Sequence, residues 1–393
     1  MSPSDPLFID IDCAQKCKTG QQICGDAFVS KRLAEQERLI AVLSDGLGSG
    51  VKANILASMT ATMALKFVSA DFNFTRAAEV IMNALPICQV RQISYATFSI
   101  ADCTLEGRVR IVEEGNPPFI LLREGVDMPV ACDIVASRRF SNRQMRVSQV
   151  LLQPEDRLIF YSDGVTQAGM GNPLHRFGWQ REGLLSFVQE IVTKCPDISS
   201  TKLSHAVVDS AVRKEASLAP KDDISCAVLY FRRPRRLMVL SGPPYSRDSD
   251  AEVARTFAAY KGKKAICGGT TANFIARELG QEITMNLRAP RTHLPPASEM
   301  DGVDLVTEGV LTLTQAVEYL DKGTTPPPPD PAGKLVELFL DSDTIDFLIG
   351  SRVNEAHLDP TLPVYLEIRR NIIQKMADSL RTRYLKNVTV TYI

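Results

Sequence analysis

Four short motifs place an aspartate beside a glycine or a second acid at the edge of an apolar run. They are Gly25-Asp26, Ser44-Asp45-Gly46, Ser162-Asp163-Gly164 and Lys221-Asp222-Asp223-Ile224-Ser225. Strands bring residues remote in sequence side by side, so these acids can meet at one edge of a sheet. Carboxylates gathered in that way repel one another unless cations neutralise them. All-oxygen coordination suits Mg²⁺ or Mn²⁺, and two such ions about 3.5–4 Å apart activate water and clamp a phosphoryl group. Gly46 would let a backbone carbonyl reach a metal. Asp-Gly is also ordinary turn chemistry, and any one motif alone reads that way. Four in this order, each against a strand, favour a shared site.

The elements that must carry these acids are visible in the pattern. Leu39–Leu43 is an apolar run of buried-strand type, and it ends at the turn Ser44-Asp45-Gly46-Leu47-Gly48-Ser49-Gly50. Val51 to Val68 has helical composition, with apolar residues three and four apart. Strands are expected at Ala27–Val29, Tyr95–Ile100, Val109–Val112, Phe119–Leu122, Leu158–Tyr161 and Ile224–Phe231. Strands in succession without long helices between them pair antiparallel, which predicts an α+β fold. A break falls at Arg232-Arg233-Pro234-Arg235-Arg236, where a proline among four arginines suits a solvated connector. The predicted domains are therefore 1–233 and 234–393.

Beyond the break the pattern changes. Strands at Leu237–Leu240, Lys264–Ile266, Val303–Val306, Thr344–Ile349 and Val388–Tyr392 alternate with helices near 249–260, 271–279, 312–321 and 363–382. That alternation predicts a smaller α/β domain with a mostly parallel sheet. Thr324 to Pro331 reads as a stiff, proline-rich surface loop. Loops follow the carboxyl ends of the strands at Ser241–Pro244, Cys267–Thr271, Thr307–Gly309 and Gly350–Glu355, the edge where parallel sheets bind ligands. Gly268, Gly269, Thr270 and Thr271 open directly into a helix, which suits a small anionic effector or, equally, a tight turn with a threonine cap.

Composition narrows the classes of function. The 393 residues are too many for one ordinary core, and a formal net charge of −1 removes the global argument for nucleic acid or an anionic membrane. No apolar run approaches the roughly 20 residues that span a bilayer, and residues 1–12 carry no export signal, so a cytoplasmic protein is expected. The nine cysteines are an odd number, which argues against a complete disulfide framework. Cys13, Cys17 and Cys24 lack a partner pair at zinc spacing, and His175, His205, His293 and His357 are scattered.

The acidic motifs, with Glu114-Gly115-Asn116-Pro117-Pro118 between them, resemble the SpoIIE-type branch of the PPM (PP2C-like) phosphatases. The resemblance spans roughly residues 8–232 in the family's motif order. It implies an α-β-β-α sandwich holding two Mn²⁺ or Mg²⁺ ions between antiparallel sheets. By position, Asp45 would bridge the metals and Gly46 would lend its carbonyl. Asp163 and Asp222 would complete one metal's shell, and Asp26 would bind near the other. Asp223 and Asn116 would support these ligands, and the turn at Asn116 would shape the sheet edge. Ser49 departs from the family, standing where many relatives have His or Asn.

The activity implied is hydrolysis of phosphoserine or phosphothreonine on a small signalling phosphoprotein, an anti-sigma-factor antagonist in this branch. The chain enters the phosphatase region directly, so regulatory input is expected from the second domain or a partner. A homodimer is compatible with relatives controlled by helix movement at interfaces. Two other readings stand beside this one. The chain would be a catalytically silent phosphoprotein-binding scaffold, or a small-anion sensor whose second domain is the main functional unit.

Overall fold

In the computed structural model the chain splits into two compact units, Met1–Arg233 and Pro234–Ile393. The structure describes residues 7–33, 36–70, 76, 79–81, 83, 96–136, 143–173, 175–285, 294–323, 330–352 and 362–393. Tyr95, His293, His357, Val353-Asn354-Glu355 and the run 324–329 lie outside them.

The first unit is built on two antiparallel sheets. One contains β1 (Phe8–Lys16), β6 (Ile120–Arg123), β7 (Val126–Asp127), β10 (Arg157–Tyr161) and β11 (Ile224–Arg232), in the order β1-β11-β10-β6-β7. The other contains β2 (Ala27–Leu33), β3 (Arg38–Ser44), β4 (Phe98–Thr104), β5 (Arg108–Glu114), β8 (Cys132–Ala136) and β9 (Gln144–Leu151), in the order β2-β3-β4-β5-β9-β8. Alternation along β3 explains the layering. Leu39, Ala41 and Leu43 face the other sheet and meet Leu158, Phe160, Leu229 and Phe231. Ile40 and Val42 face outward and meet Ala57, Ala61 and Ala64 of helix α1 (Val51–Ser69). The small alanines let α1 approach this sheet closely.

On the far side, two helices cover the first sheet. After the short helix α2 (Asp163–Thr166) come α3 (Gln180–Lys194) and α4 (Ser200–Lys214), which bury Leu184, Val188, Leu203, Val207 and Ala211 against Ile159, Tyr161, Cys226 and Val228. Helix α4 begins with the Ser199 side chain accepting from the Lys202 amide, and Asp10 of β1 accepts from the Ser200 amide at 3.0 Å. The order of layers is helix, sheet, sheet, helices, as the resemblance implied. Strand β11 is buried along its whole length because it is flanked on both edges and covered on both faces.

The second unit has a seven-stranded sheet. It contains β12 (Arg236–Ser241), β13 (Lys263–Cys267), β14 (Thr284–Met285), β15 (Ser298–Met300), β16 (Val303–Thr307), β17 (Thr344–Ile349) and β18 (Asn387–Tyr392). The order is β14-β15-β16-β13-β12-β17-β18, with every pair from β16 to β18 parallel and the β14–β15–β16 edge antiparallel. Helices α5 (Asp250–Ala259) and α6 (Gly269–Leu279) pack on one face. Helices α7 (Val310–Lys322), α8 (Pro331–Asp341) and α9 (Leu362–Thr382) pack on the other. The connections leave β12 in both directions, so the sheet is doubly wound.

One sequence expectation is corrected here. Asp330 and Pro331 do not belong to a surface loop. Asp330 caps α8 by accepting from the Ala332 amide, and Pro331 is buried in its first turn, where a missing N–H costs nothing.

Candidate active site

The four aspartates arrive from four places on the two sheets. Asp26 immediately precedes β2, Asp45 follows β3, Asp163 opens α2 just after β10, and Asp222 lies two residues before β11. Antiparallel pairing sets Asp26 beside Asp45 at the end of one sheet and Asp163 beside Asp222 at the end of the other, and the packing of the two sheets brings the pairs together. Glycines make the approach close enough. A Cβ on Gly164 would stand 2.1 Å from the Asp223 carbonyl, and one on Gly46 would stand 2.3 Å from the Ala53 carbonyl. Both contacts are backbone contacts, so neither position accepts a side chain without moving a strand or helix α1. Gly50 caps α1 with φ 73°, a left-handed conformation that glycine adopts freely.

The acids feel one another. Burial first, then the charges of Asp26, Asp163 and Asp222, push the Asp45 carboxyl up to about 10. Asp26 is pushed up to about 7 by burial, against hydrogen bonds from Ser225 and Ser162 that favour its charged form. The Ser225 hydroxyl donates to Asp26 at 2.5 Å. Asp222 is raised by burial and by Asp163, with the Asp223 amide acting the other way. Asp163 Oδ2 accepts from the Gln167 amide side chain at 2.7 Å.

Asp223 Oδ1 accepts from the Lys18 amide at 2.9 Å, while its Oδ2 is buried without a partner. Asn116 is buried and turned inward, with Thr97 donating to its Oδ1 and its Nδ2 donating to Ser99 Oγ at 3.0 Å. Its side chain braces β4 against the turn after β5.

Whether these residues suit divalent ions is a question of donors and placement. The donors are hard oxygens, their mutual repulsion is relieved by positive charge, and Asp223 leaves a buried carboxylate oxygen unsatisfied. Among the described residues, no group of three or more acidic, His or Cys side chains is arranged to hold a metal ion. Charge interactions reach farther than metal–oxygen bonds, so the two observations agree: the acids are neighbours, and their side chains are not closed on one point. The donor set fits, with side-chain rotation needed to complete it.

Of the sequence-predicted residues, Asp26, Asp45, Asp163 and Asp222 come together here, with Gly46 and Asp223 beside them. Gly268 to Thr271 belong to the second unit. There Thr271 is buried and its hydroxyl accepts from the Gly242 amide at 2.8 Å, and Gly268 takes the cap position of α6 with no side-chain cap. A threonine N-cap is therefore not what the motif forms. Ser162 and Ser225 are supports to which no role was assigned from sequence. Ser162 Oγ accepts from the Ser225 amide at 3.0 Å, tying β10 to β11 directly behind Asp26. A serine close to each acidic motif, just before Asp163 and two residues after Asp223, was the available signal.

The cysteines described are free thiols. No described helix is long and apolar enough to cross a membrane.

Comparison with known proteins adds the following. The family model for Stage II sporulation protein E (SpoIIE) matches residues 35–232. The phosphatase domain of the cell fate determinant SpoIIE from Bacillus subtilis aligns at 15% identity, covering 59% of this chain and 95% of that one, with TM-score 0.44. The RsbU and RsbW domains of a Mycobacterium tuberculosis protein align at 21% identity, covering 64% and 68%, with TM-score 0.46. A PPM Ser-Thr phosphatase from Mycobacterium smegmatis, solved with cacodylate, aligns at 15% identity, covering 56% and 97%, with TM-score 0.37. No curated protein matches the chain.

Proposed function

The chain belongs to the Stage II sporulation protein E family, and from that premise we propose that its first unit is a metal-dependent protein serine/threonine phosphatase. The substrate class is a phosphoserine or phosphothreonine on a small cytoplasmic signalling protein. The observation that carries this reading is the convergence of Asp26, Asp45, Asp163 and Asp222 at one end of the two sheets, where burial and mutual repulsion push the Asp45 carboxyl well up from its ordinary value. Such an arrangement costs stability and is retained for what it binds.

Two Mg²⁺ or Mn²⁺ ions would be held by Asp45, the Gly46 carbonyl, Asp163, Asp222 and Asp26. When bound, they supply an activated water and neutralise charge on the phosphoryl oxygens. The chain's own contribution is placement. Ser225 and Ser162 fix the Asp26 carboxyl, Gln167 orients Asp163, and the Asp222 carboxylate is turned by the Asp223 amide. Gly164 and Gly46 permit the close backbone approach that brings these groups together. Loss of the proton from Asp45 accompanies ion binding, so ion affinity should rise with pH.

The second unit, with its doubly wound sheet and its own core, is proposed as the regulatory input. The silent-scaffold reading gains no support, since phosphoprotein binding alone would not require four mutually repelling acids.

The test is hydrolysis of a generic phosphomonoester by the full chain after chelation, with Mn²⁺ or Mg²⁺ restored, beside Asp45→Ala. We expect activity to return with metal, and to fall by at least about 10³-fold in the variant. Metal should also raise the Tm of the wild type and not of Asp45→Ala. A variant with near wild-type turnover would sink the assignment. A folded wild type that is inactive with every metal would leave the scaffold reading.

A further inference from the structure

In a doubly wound sheet, the ligand crevice lies outside the carboxyl ends of the strands, where the winding reverses. In the second unit that point falls between β12 and β17. The two strand ends are held together, with the Gly350 amide donating to the Ser241 carbonyl at 2.9 Å. Space is so limited that a Cβ on Gly350 would stand 2.1 Å from the Pro243 carbonyl. The place a Gly242 side chain would take is filled by the guanidinium of Arg369, from α9, whose Nη1 would lie 2.3 Å from that Cβ.

Arg369 is a costly residue for this position. Its Nε and Nη1 are buried and make no hydrogen bond. Among the described residues, Glu308, just after β16, is the acid whose charge acts on it. It is not close enough to form an ion pair, and its Oε2 accepts from the Leu311 amide at 3.1 Å. The neighbouring Arg352 differs, because it is paired with Asp250 at 3.1 Å. Burial drives the Arg369 pKa down, as expected of a cation without a partner. The surrounding backbone is bare. Gly309 packs against Gly268, a Cβ on Gly269 would meet nothing within 4 Å, and α6 starts without a side-chain cap.

We propose that the β12–β17 switch point of the second unit binds a small molecule carrying a phosphate or carboxylate group, with the Arg369 guanidinium as its anchor. An oxyanion facing the Nη1–Nη2 edge of the guanidinium accepts from two N–H groups at once, which satisfies the orphaned Nη1 and offsets the buried charge. This moves the anion site expected at Gly268, Gly269, Thr270 and Thr271, where the Thr271 hydroxyl already accepts from the Gly242 amide, to Arg369 at the same end of the sheet. Ser241-Gly242-Pro243-Pro244 lacks the glycine fingerprint for a dinucleotide pyrophosphate, so a compact anion is the better fit.

The inference rests on reading the second unit as a regulatory input, but its test measures binding and not hydrolysis, so the two fail separately. The full chain, in EDTA and at low ionic strength, is titrated calorimetrically with inorganic phosphate, adenosine monophosphate and citrate, with chloride as control. EDTA removes the metals that would draw phosphate to the first unit. We expect at least one probe to bind once per chain, and binding to vanish in Arg369→Met. Without probe, Arg369→Met should melt at or above the wild-type temperature, because it replaces an unsatisfied cation by an apolar side chain. If Arg369→Met does not fold, Arg369→Lys serves, since it keeps the charge, loses the fork, and should weaken binding about fivefold or more. Failure of all three probes, or undiminished binding in the folded variant, overturns the proposal.

Discussion

Buried beside Asp26, Asp163 and Asp222, the Asp45 carboxyl keeps its proton far into the alkaline range, up to about 10. Burial acts in the same direction on Glu113 of β5. Glu113 is buried, which drives its carboxyl up to about 7, even though Arg146 pairs with it at 3.1 Å and the Phe119 amide donates to it. Its folded pKa lies above its unfolded value of 4.5. Its stabilising effect is therefore complete below pH 4.5 and is lost as pH rises through 7, by about 3 kcal/mol at most. Glu113→Gln removes that titration. Thermal melts of both proteins from pH 5 to pH 8 should show the wild type losing ground to the variant as pH rises. A gap that stays constant would mean that Glu113 ionises freely when folded.

Glycine chemistry at the site is equally specific. In Gly164→Ala the new methyl meets the Asp223 carbonyl, so α2 and the start of β11 must separate. We expect a cost of about 2–3 kcal/mol, with turnover falling further than stability because Asp163 and Asp222 move apart. Melting temperature and turnover of the variant check both halves. These acids were legible in the sequence because each stands beside glycine or a second acid at an apolar strand. The inward bonding of Asn116 and the Ser162–Ser225 tie were not, because a serine or asparagine shows its partner only once strands remote in sequence are paired.

Elements were readable where burial was one-sided or complete. The apolar runs of β3 and β11 announced themselves, and so did the helical spacing of α1. Strand β9, with the sequence QMRVSQVL, mixes charge and apolar residues because only part of each face is covered, and it did not stand out. Strand β1 does not read as a strand because Asp10, Asp12, Gln15 and Lys16 interrupt its apolar residues, though it pairs with β11 from Phe8 opposite Arg232 to Lys16 opposite Ile224. Helix α8 was missed for a different reason. The prolines before it dominated the pattern, and the Asp330-Pro331 start was absorbed into them. Asp330 also accepts from the Tyr319 hydroxyl at 2.6 Å, which links the cap to α7. Asp330→Ala should therefore cost more than an ordinary cap, about 2 kcal/mol, while Tyr319→Phe should cost about 1. Denaturant midpoints of the two variants and the double variant test the coupling. Strictly additive losses would show that cap and hydroxyl act independently.

At the scale of the whole molecule, each unit closes its own core. The first unit buries its apolar side chains in three layers between helices and sheets, and the second buries them on both faces of its sheet. Cores that share no residue should fold separately. We therefore expect fragments 1–233 and 234–393 each to show a cooperative thermal transition of its own. The phosphatase reading makes a stronger demand of the first fragment. All of the proposed metal ligands lie within it, so its turnover with Mn²⁺ or Mg²⁺ should persist without the second unit. A regulatory second unit requires that this turnover differ from that of the full chain, by about tenfold for a coupling of 1.4 kcal/mol. Equal rates in fragment and full chain would leave the second unit without influence on the first under the assay conditions, and would remove the regulatory assignment while leaving the phosphatase intact. A folded first fragment with no activity would instead mean that the second unit completes the catalytic site.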